Sequence, residues 1–342
     1  MRKFPMVLIF FVGILFIMAR LAEVQAVVET LQRGDWRFIF LAVGIVFIWL
    51  FTVAFSYKKI YSALGLSEKV KHLLPMASAA IFLNVVAPSA GMSGMSVFVA
   101  QAKRGKYSTG RAAVAGALHV LLDYGAFFCV LALGLIVLFR RNALDAGEIF
   151  ASIVLLVIFG FLATLIYLGM RSAHSLGRAL SWLASIVNRL LWPFLKREYL
   201  SQKRAYEFAE EAADGLRVLL KTPQNLVVPF ALALLKQAML MSVLWSTLRM
   251  FQVPFSSGTL IAGYSVGYLF TIITPTPAGL GVVEGALTLA LTSMYIPFST
   301  AAIVTLAYRG FTFWFPLLVG MVSLRTLDGK QSVQPAYQGR VS

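Results

Sequence analysis

Four ionisable residues stand inside long apolar stretches: Asp123, Lys236, Glu284 and Arg309. Charge is costly there and tends to be functional. Two acids and two bases can neutralise one another, which would make buried ion pairs that lock helices together. Alternatively, Arg309 and Lys236 are the cations of an anion site, with Glu284 and Asp123 balancing charge or carrying a proton. The sequence favours the anion site for Arg309 and, less firmly, for Lys236, whose long stem can snorkel. His119 lies four residues before Asp123 and shares its helix face, and for that couple the two readings weigh equally. His72 and His174 fall in loops. No His/Asp/Glu group has metal spacing, and neither a Walker loop nor a serine elbow is present. The sequence therefore gives no catalytic group, metal or cofactor, and no enzyme is expected.

Two further stretches combine apolar character with Pro and Gly. Residues 73–101 are interrupted from Asn84 through Pro88, Gly91 and Ser93 to Gly94, and 259–295 from Thr274 through Pro275, Pro277 and Gly279 to Gly281. The second half-helix of each would start near mid-membrane, with free N–H groups and the positive dipole end pointing inward. Ser93 and Ser96 mark the first such start. Gly279 and Gly281 mark the second and let an anion approach the backbone, while Pro275 and Pro277 give a rigid, extended approach.

These residues need membrane-spanning elements to hold them. The chain is 59% apolar and only 13% charged, which excludes a soluble globular domain and a disordered chain. The apolar residues fall in long blocks, the mark of helical spans rather than of a barrel. Six segments are long enough to cross: 4–22, 38–57, 112–139, 149–170, 226–250 and 299–324. The net charge of +16 sits in the loops between them, so it points to anionic lipid and not to nucleic acid. Cys129, the single cysteine, is expected to be a small buried hydrophobe.

Loop charge sets the orientation. Lys58, Lys59, Lys69 and Lys71 precede the first broken stretch, and Lys103, Arg104, Lys106 and Arg111 follow it, in a loop 102–111 with no acid. Basic loops stay in the cytoplasm, so that stretch should enter and leave by one face, as a re-entrant hairpin. By parity, 259–295 enters from the outer face. Two full crossings also balance, but they put the acid-free loop outside. The expected fold is an all-α polytopic membrane protein of six spans and two re-entrant hairpins. Repeat one covers 1–139 and repeat two 149–324, inverted relative to each other, with a polar tail at 325–342. Inverted repeats with broken helices are a transporter architecture. The insert 171–225 reads as two amphipathic helices on the cytoplasmic surface, the first carrying Leu176, Leu180, Leu183 and Val187 on one face, the second spanning 199–220.

The run Thr274-Pro275-Thr276-Pro277-Ala278-Gly279-Leu280-Gly281-Val282-Val283-Glu284 resembles the lysylphosphatidylglycerol synthase transmembrane-region, or flippase-like, family. Tyr308-Arg309-Gly310-Phe311-Thr312-Phe313-Trp314, with Pro316 and Gly320, continues the likeness, and Asn84, Pro88, Gly91 and Leu121-Leu122-Asp123 add a looser match. Two positions depart from the family pattern: Ala278 stands for a usual glycine and Tyr124 for a usual arginine. The resemblance implies lipid translocation. It does not imply aminoacyl transfer, since only a short polar tail follows the membrane region.

The expected function is thus a flippase of the cytoplasmic (inner) membrane, with both termini cytoplasmic, moving an anionic or aminoacylated phospholipid. Its partners are membrane phospholipid and an anionic lipid surface, with a homo-oligomer or a partner synthase left open. A soluble-anion transporter and a lipid-binding partner of a synthase are the alternatives.

Overall fold

The computed structural model describes residues 21–87, 93–105, 108–195, 201–274, 276 and 279–329. Among these every regular element is helical. The expected span 4–22 lies outside them except for its last two residues, as do Pro88, Gly91, Pro275, Pro277 and residues 330–342 of the tail.

Five helices are long and apolar enough to cross a membrane: α2 (Trp36–Ala63), α5 (Thr109–Arg140), α6 (Ala146–Arg171), α9 (Val227–Met250, led in by a turn from Pro223) and the run Phe298–Leu327. That run is α12 (Phe298–Arg309), a π turn (Gly310–Trp314) and α13 (Phe315–Gly329). Their outer faces carry large bare apolar side chains, such as Phe51, Ile136, Val157 and Val322. Water would not tolerate so much exposed hydrocarbon; lipid would. Cys129 lies on such an exposed face, which corrects the expectation that it is buried.

The spans start where short polar side chains satisfy open backbone N–H groups. Asp35 accepts from Arg37 N–H at 2.9 Å, and Ser108 accepts from Arg111 N–H at 3.2 Å. The chain before α2 differs from expectation, because a helix α1 (Leu21–Gln32) runs ten residues past the predicted end at 22. Leu21, Val24, Val28 and Leu31 keep the helical spacing, and Val27 is buried against the bundle. A Cβ on Gly310 would come within 2.7 Å of Val27 Cγ1, so the glycine admits α1 to the π turn.

Both broken stretches form pairs of short helices. The first pair is α3 (Val70–Val86) with α4 (Met95–Gly105), the second α10 (Ser257–Ile273) with α11 (Val282–Ser293). At 1.5 Å per residue none exceeds about 26 Å. Gly263 faces Leu291 and Gly267 faces Leu287, so α10 and α11 run antiparallel. The start of α4 lies beside the last turns of α3, where Gly94 meets Ala80 and Asn84.

The pairs open at opposite ends of the bundle. Short connections join α3 to the end of α2 and α4 to the start of α5. At the other end, the Arg141 guanidinium that closes α5 bonds Ser256 Oγ at 2.8 Å and reaches Met294, binding both outer ends of the α10–α11 pair.

The insert is two helices, as expected: α7 (Ala173–Leu195) and α8 (Gln202–Lys221). They pack on each other and on the bundle, α8 against α5. Glu211 of α8 caps α5: its carboxylate accepts from Gly110 N–H at 2.7 Å, Ser108 Oγ at 3.0 Å and Thr109 Oγ1 at 3.1 Å. Partial burial alone would raise this carboxyl. The hydrogen bonds from Gly110, Ser108 and Thr109 outweigh it and hold the group below its ordinary value.

Two large apolar clusters fill the interior. One joins α3, α4, α8 and α13 to the C-terminal half of α2 and the N-terminal half of α5. The other joins α9, α10, α11 and α12 to the remaining parts of α2, α5 and α6.

Candidate functional site

Three buried charges, Asp123, Lys236 and Arg309, and the partly exposed Glu284 gather about the line where these clusters meet. On α5, Leu118 belongs to the first cluster and Val120 to the second, and His119 and Asp123 stand at that seam. On the last run, Tyr308 and Phe311 belong to the second cluster and Phe313 to the first, with Arg309 among them. Trp49 of α2 packs against both.

The charges form two separate pairs. In the first, Lys236 Nζ lies 2.8 Å from Asp123 Oδ1 and 3.2 Å from His119 Nε2. An ammonium only donates, so Nε2 accepts and the neutral ring carries its proton on Nδ1. Gln237 Nε2 donates to Asp123 Oδ1 at 3.3 Å, and Tyr268 O–H donates to Oδ2 at 2.7 Å. Tyr264 O–H donates to Gln237 Oε1. The His119 ring stacks on Tyr57 at 4.1 Å, and Tyr57 stacks on Phe98 of α4 at the same separation. This network therefore joins both short-helix pairs, through Phe98 on one side and through Tyr264 and Tyr268 on the other. His119 and Asp123, one face of one helix, converge on the lysine. Its side chain is 5% exposed and that of Asp123 12%.

In the second pair, Arg309 Nε lies 2.7 Å from Glu284 Oε1. Glu284 Oε2 accepts the N–H of Gly281 at 2.7 Å, closing the first turn of α11. Gly281 has φ +81° and Gly279 φ +67°, conformations that L side chains rarely adopt. The guanidinium also lies 4.5 Å over the Phe313 ring. Arg309 is buried, but the Glu284 side chain is 27% exposed. The π turn begins directly after Arg309, a break in helical register that is frequent at functional sites.

The other predicted residues divide in the same way. Asn84 and Ser93 act on each other: Asn84 Oδ1 accepts from Ser93 Oγ at 2.9 Å and from Gly94 N–H at 2.6 Å, closing the α3–α4 turn. Ser96 Oγ donates to Ser93 O at 2.7 Å. The Gly94 N–H just before α4 and the Gly281 N–H just before α11 are thus each taken by a side chain of the protein itself. Thr274 is buried at the end of α10. Gln237, Tyr57, Tyr264 and Tyr268 were not singled out from sequence. The adjacency of Gln237 to Lys236 and the i, i+4 tyrosine couple on α10 were the available signals.

Among the described residues, Trp49 Nε1 is the one buried side-chain nitrogen or oxygen without a partner. No group of His, Cys, Asp and Glu there could hold a metal ion. An apolar groove of about 450 Å³ opens on the flank between α5, α9 and α10, lined by Val130, Leu234, Ala238, Met241, Trp245 and Leu260.

Long apolar helices bared on their outer faces, around charges paired inside, define a multi-pass helical membrane protein. The family model for the lysylphosphatidylglycerol synthase TM region matches residues 6–320, and the chain belongs to that family. It is also similar to a UPF0104 membrane protein of Methanothermobacter thermautotrophicus, 23% identical over 304 residues that cover 86% of this chain and 87% of the relative.

Proposed function

We propose that the protein is a flippase that moves an anionic or aminoacylated phospholipid across the cytoplasmic membrane. The observation that carries the reading is the Arg309–Glu284 pair. A cation deep in an apolar bundle is paired there with a carboxylate that is itself partly open. A phosphate headgroup can take the acid's place on the guanidinium, where a planar fork suits two phosphate oxygens. Glu284 then keeps the Gly281 N–H, at the positive end of α11. Lys236 is the second cation, and the open indole N–H of Trp49 lies in the same seam as a further donor.

Placed in a bilayer, α3–α4 and α10–α11 are re-entrant hairpins entering from opposite faces, as inverted repeats require. The basic insert marks the cytoplasmic side. The flank groove favours a lipid over a soluble anion, since a free anion has no use for an apolar side opening. No transferase chemistry is assigned.

The test is reconstitution into liposomes with fluorescent phosphatidylglycerol, scored by dithionite access to the label. Exchange by wild type and its loss in folded Arg309→Gln is the expected result. Equal exchange by the two proteins would sink the site. Exchange by neither, with uptake of a soluble phosphodiester by wild type, would turn the reading to soluble-anion transport.

A further inference from the structure

We infer that the Asp123–Lys236–His119 cluster takes up one proton each time a phosphate-bearing anion enters the seam. The inference rests on the anion reading above and adds the ion that must accompany the headgroup.

At rest the cluster is neutral: one carboxylate, one ammonium and one imidazole that accepts from it. The groups facing it are Tyr57 from α2, Tyr124 beside Asp123 on α5, Gln237 from α9, and Tyr264 and Tyr268 from α10. No second carboxylate or cation is hydrogen-bonded to Asp123, Lys236 or His119 among the described residues. Lys236 uses two of its three N–H donors there, so the third can meet an anion oxygen. With the anion present, the ammonium faces two negative groups in a dry interior. A buried excess charge of this kind neutralises by binding a proton. The Arg309–Glu284 pair escapes this need because Glu284 is partly open and holds a backbone N–H.

The proton comes from water and binds Asp123 Oδ1, which gives up its contact with Lys236. Oδ2 keeps its hydrogen bond from Tyr268. Lys236 turns its positive charge to the anion, so the net charge is again zero. The entry of water belongs on the side of His119, which is half-buried where Asp123 and Lys236 are buried. Both hairpins touch this network, through Phe98 and through Tyr264 and Tyr268, so the proton's arrival is felt at both.

The test uses the whole purified protein in detergent, titrated calorimetrically with dihexanoyl phosphatidylglycerol in two buffers of different ionisation enthalpy. Uptake of one proton per lipid is expected, with apparent affinity falling about tenfold per pH unit as pH rises. Asp123→Asn, neutral at that position from the start, should bind the lipid more tightly, without proton uptake or pH dependence. The wild-type result in two buffers decides alone if that variant does not fold. Lipid binding without proton uptake overturns this inference and leaves the flippase reading standing. No binding of any phosphodiester by folded protein overturns both. Proton-linked binding of dimethyl phosphate but not of lipid keeps the proton site and makes the anion a soluble one.

Discussion

The two charge pairs of the seam use the same chemistry in different surroundings. Lys236–Asp123 is dry on both sides and enclosed by Gln237, Tyr264, Tyr268 and His119. Arg309–Glu284 has one dry partner and one partly open partner, and the acid also serves as a helix cap. A dry pair cannot lose a member without leaving a bare charge. A half-open pair can exchange its partner, because water and the helix end share the cost. The first is suited to holding helices and to meeting an anion only when its acid takes a proton, the second to taking and releasing an anion without one.

That contrast can be broken by mutation, and the largest effect should come from the dry pair. Lys236→Met leaves Asp123 uncompensated and should cost about 3–5 kcal/mol of stability. Thermal unfolding in detergent reads it, and Lys236→Met combined with Asp123→Asn should recover most of the loss. If the single variant were as stable as wild type, the dry character of the pair would be refuted. Next comes Glu284→Gln, which keeps an acceptor for the Gly281 N–H but removes the counter-charge of Arg309. Its cost should be smaller, about 2 kcal/mol, because the carboxylate is partly hydrated. A loss equal to that of Lys236→Met would erase the contrast.

Gly281→Ala should cost about 1 kcal/mol through the left-handed backbone that α11 needs at its start. A larger loss of lipid exchange than of stability would show that this turn shapes the anion site and not only the fold. The smallest effect belongs to the insert. Glu211 is held below its ordinary value, so its contribution is full above the usual carboxylate range and fades as pH falls through the lowered value. Hydrogen exchange should show α8 loosening in acid, and Glu211→Gln should show the same loosening at neutral pH. Glu211→Gln should leave the two charge pairs unaltered.

The spans were legible because an apolar block of sufficient length has few other fates. Predicted stretches 38–57, 112–139, 149–170, 226–250 and 299–324 all fall within observed helical runs. The two helix breaks were legible from Asn, Pro and Gly, and the insert from its helical spacing. Helix α1 beyond residue 22 was missed because it mixes Glu and Gln with its valines, so hydropathy fades before the helix ends. Cys129 was misplaced because an apolar run carries no sign of which side faces out.

The sequence by itself determined which residues carry charge into the apolar interior and where the helices around them break. Composition and spacing suffice for that, since both are local. Only the tertiary structure decided who pairs with whom. Asp123 reaches a lysine 113 positions away, and Glu284 an arginine 25 away. Either acid is chemically fit for either base, so the choice rests on which helix faces meet, and helix packing sets that.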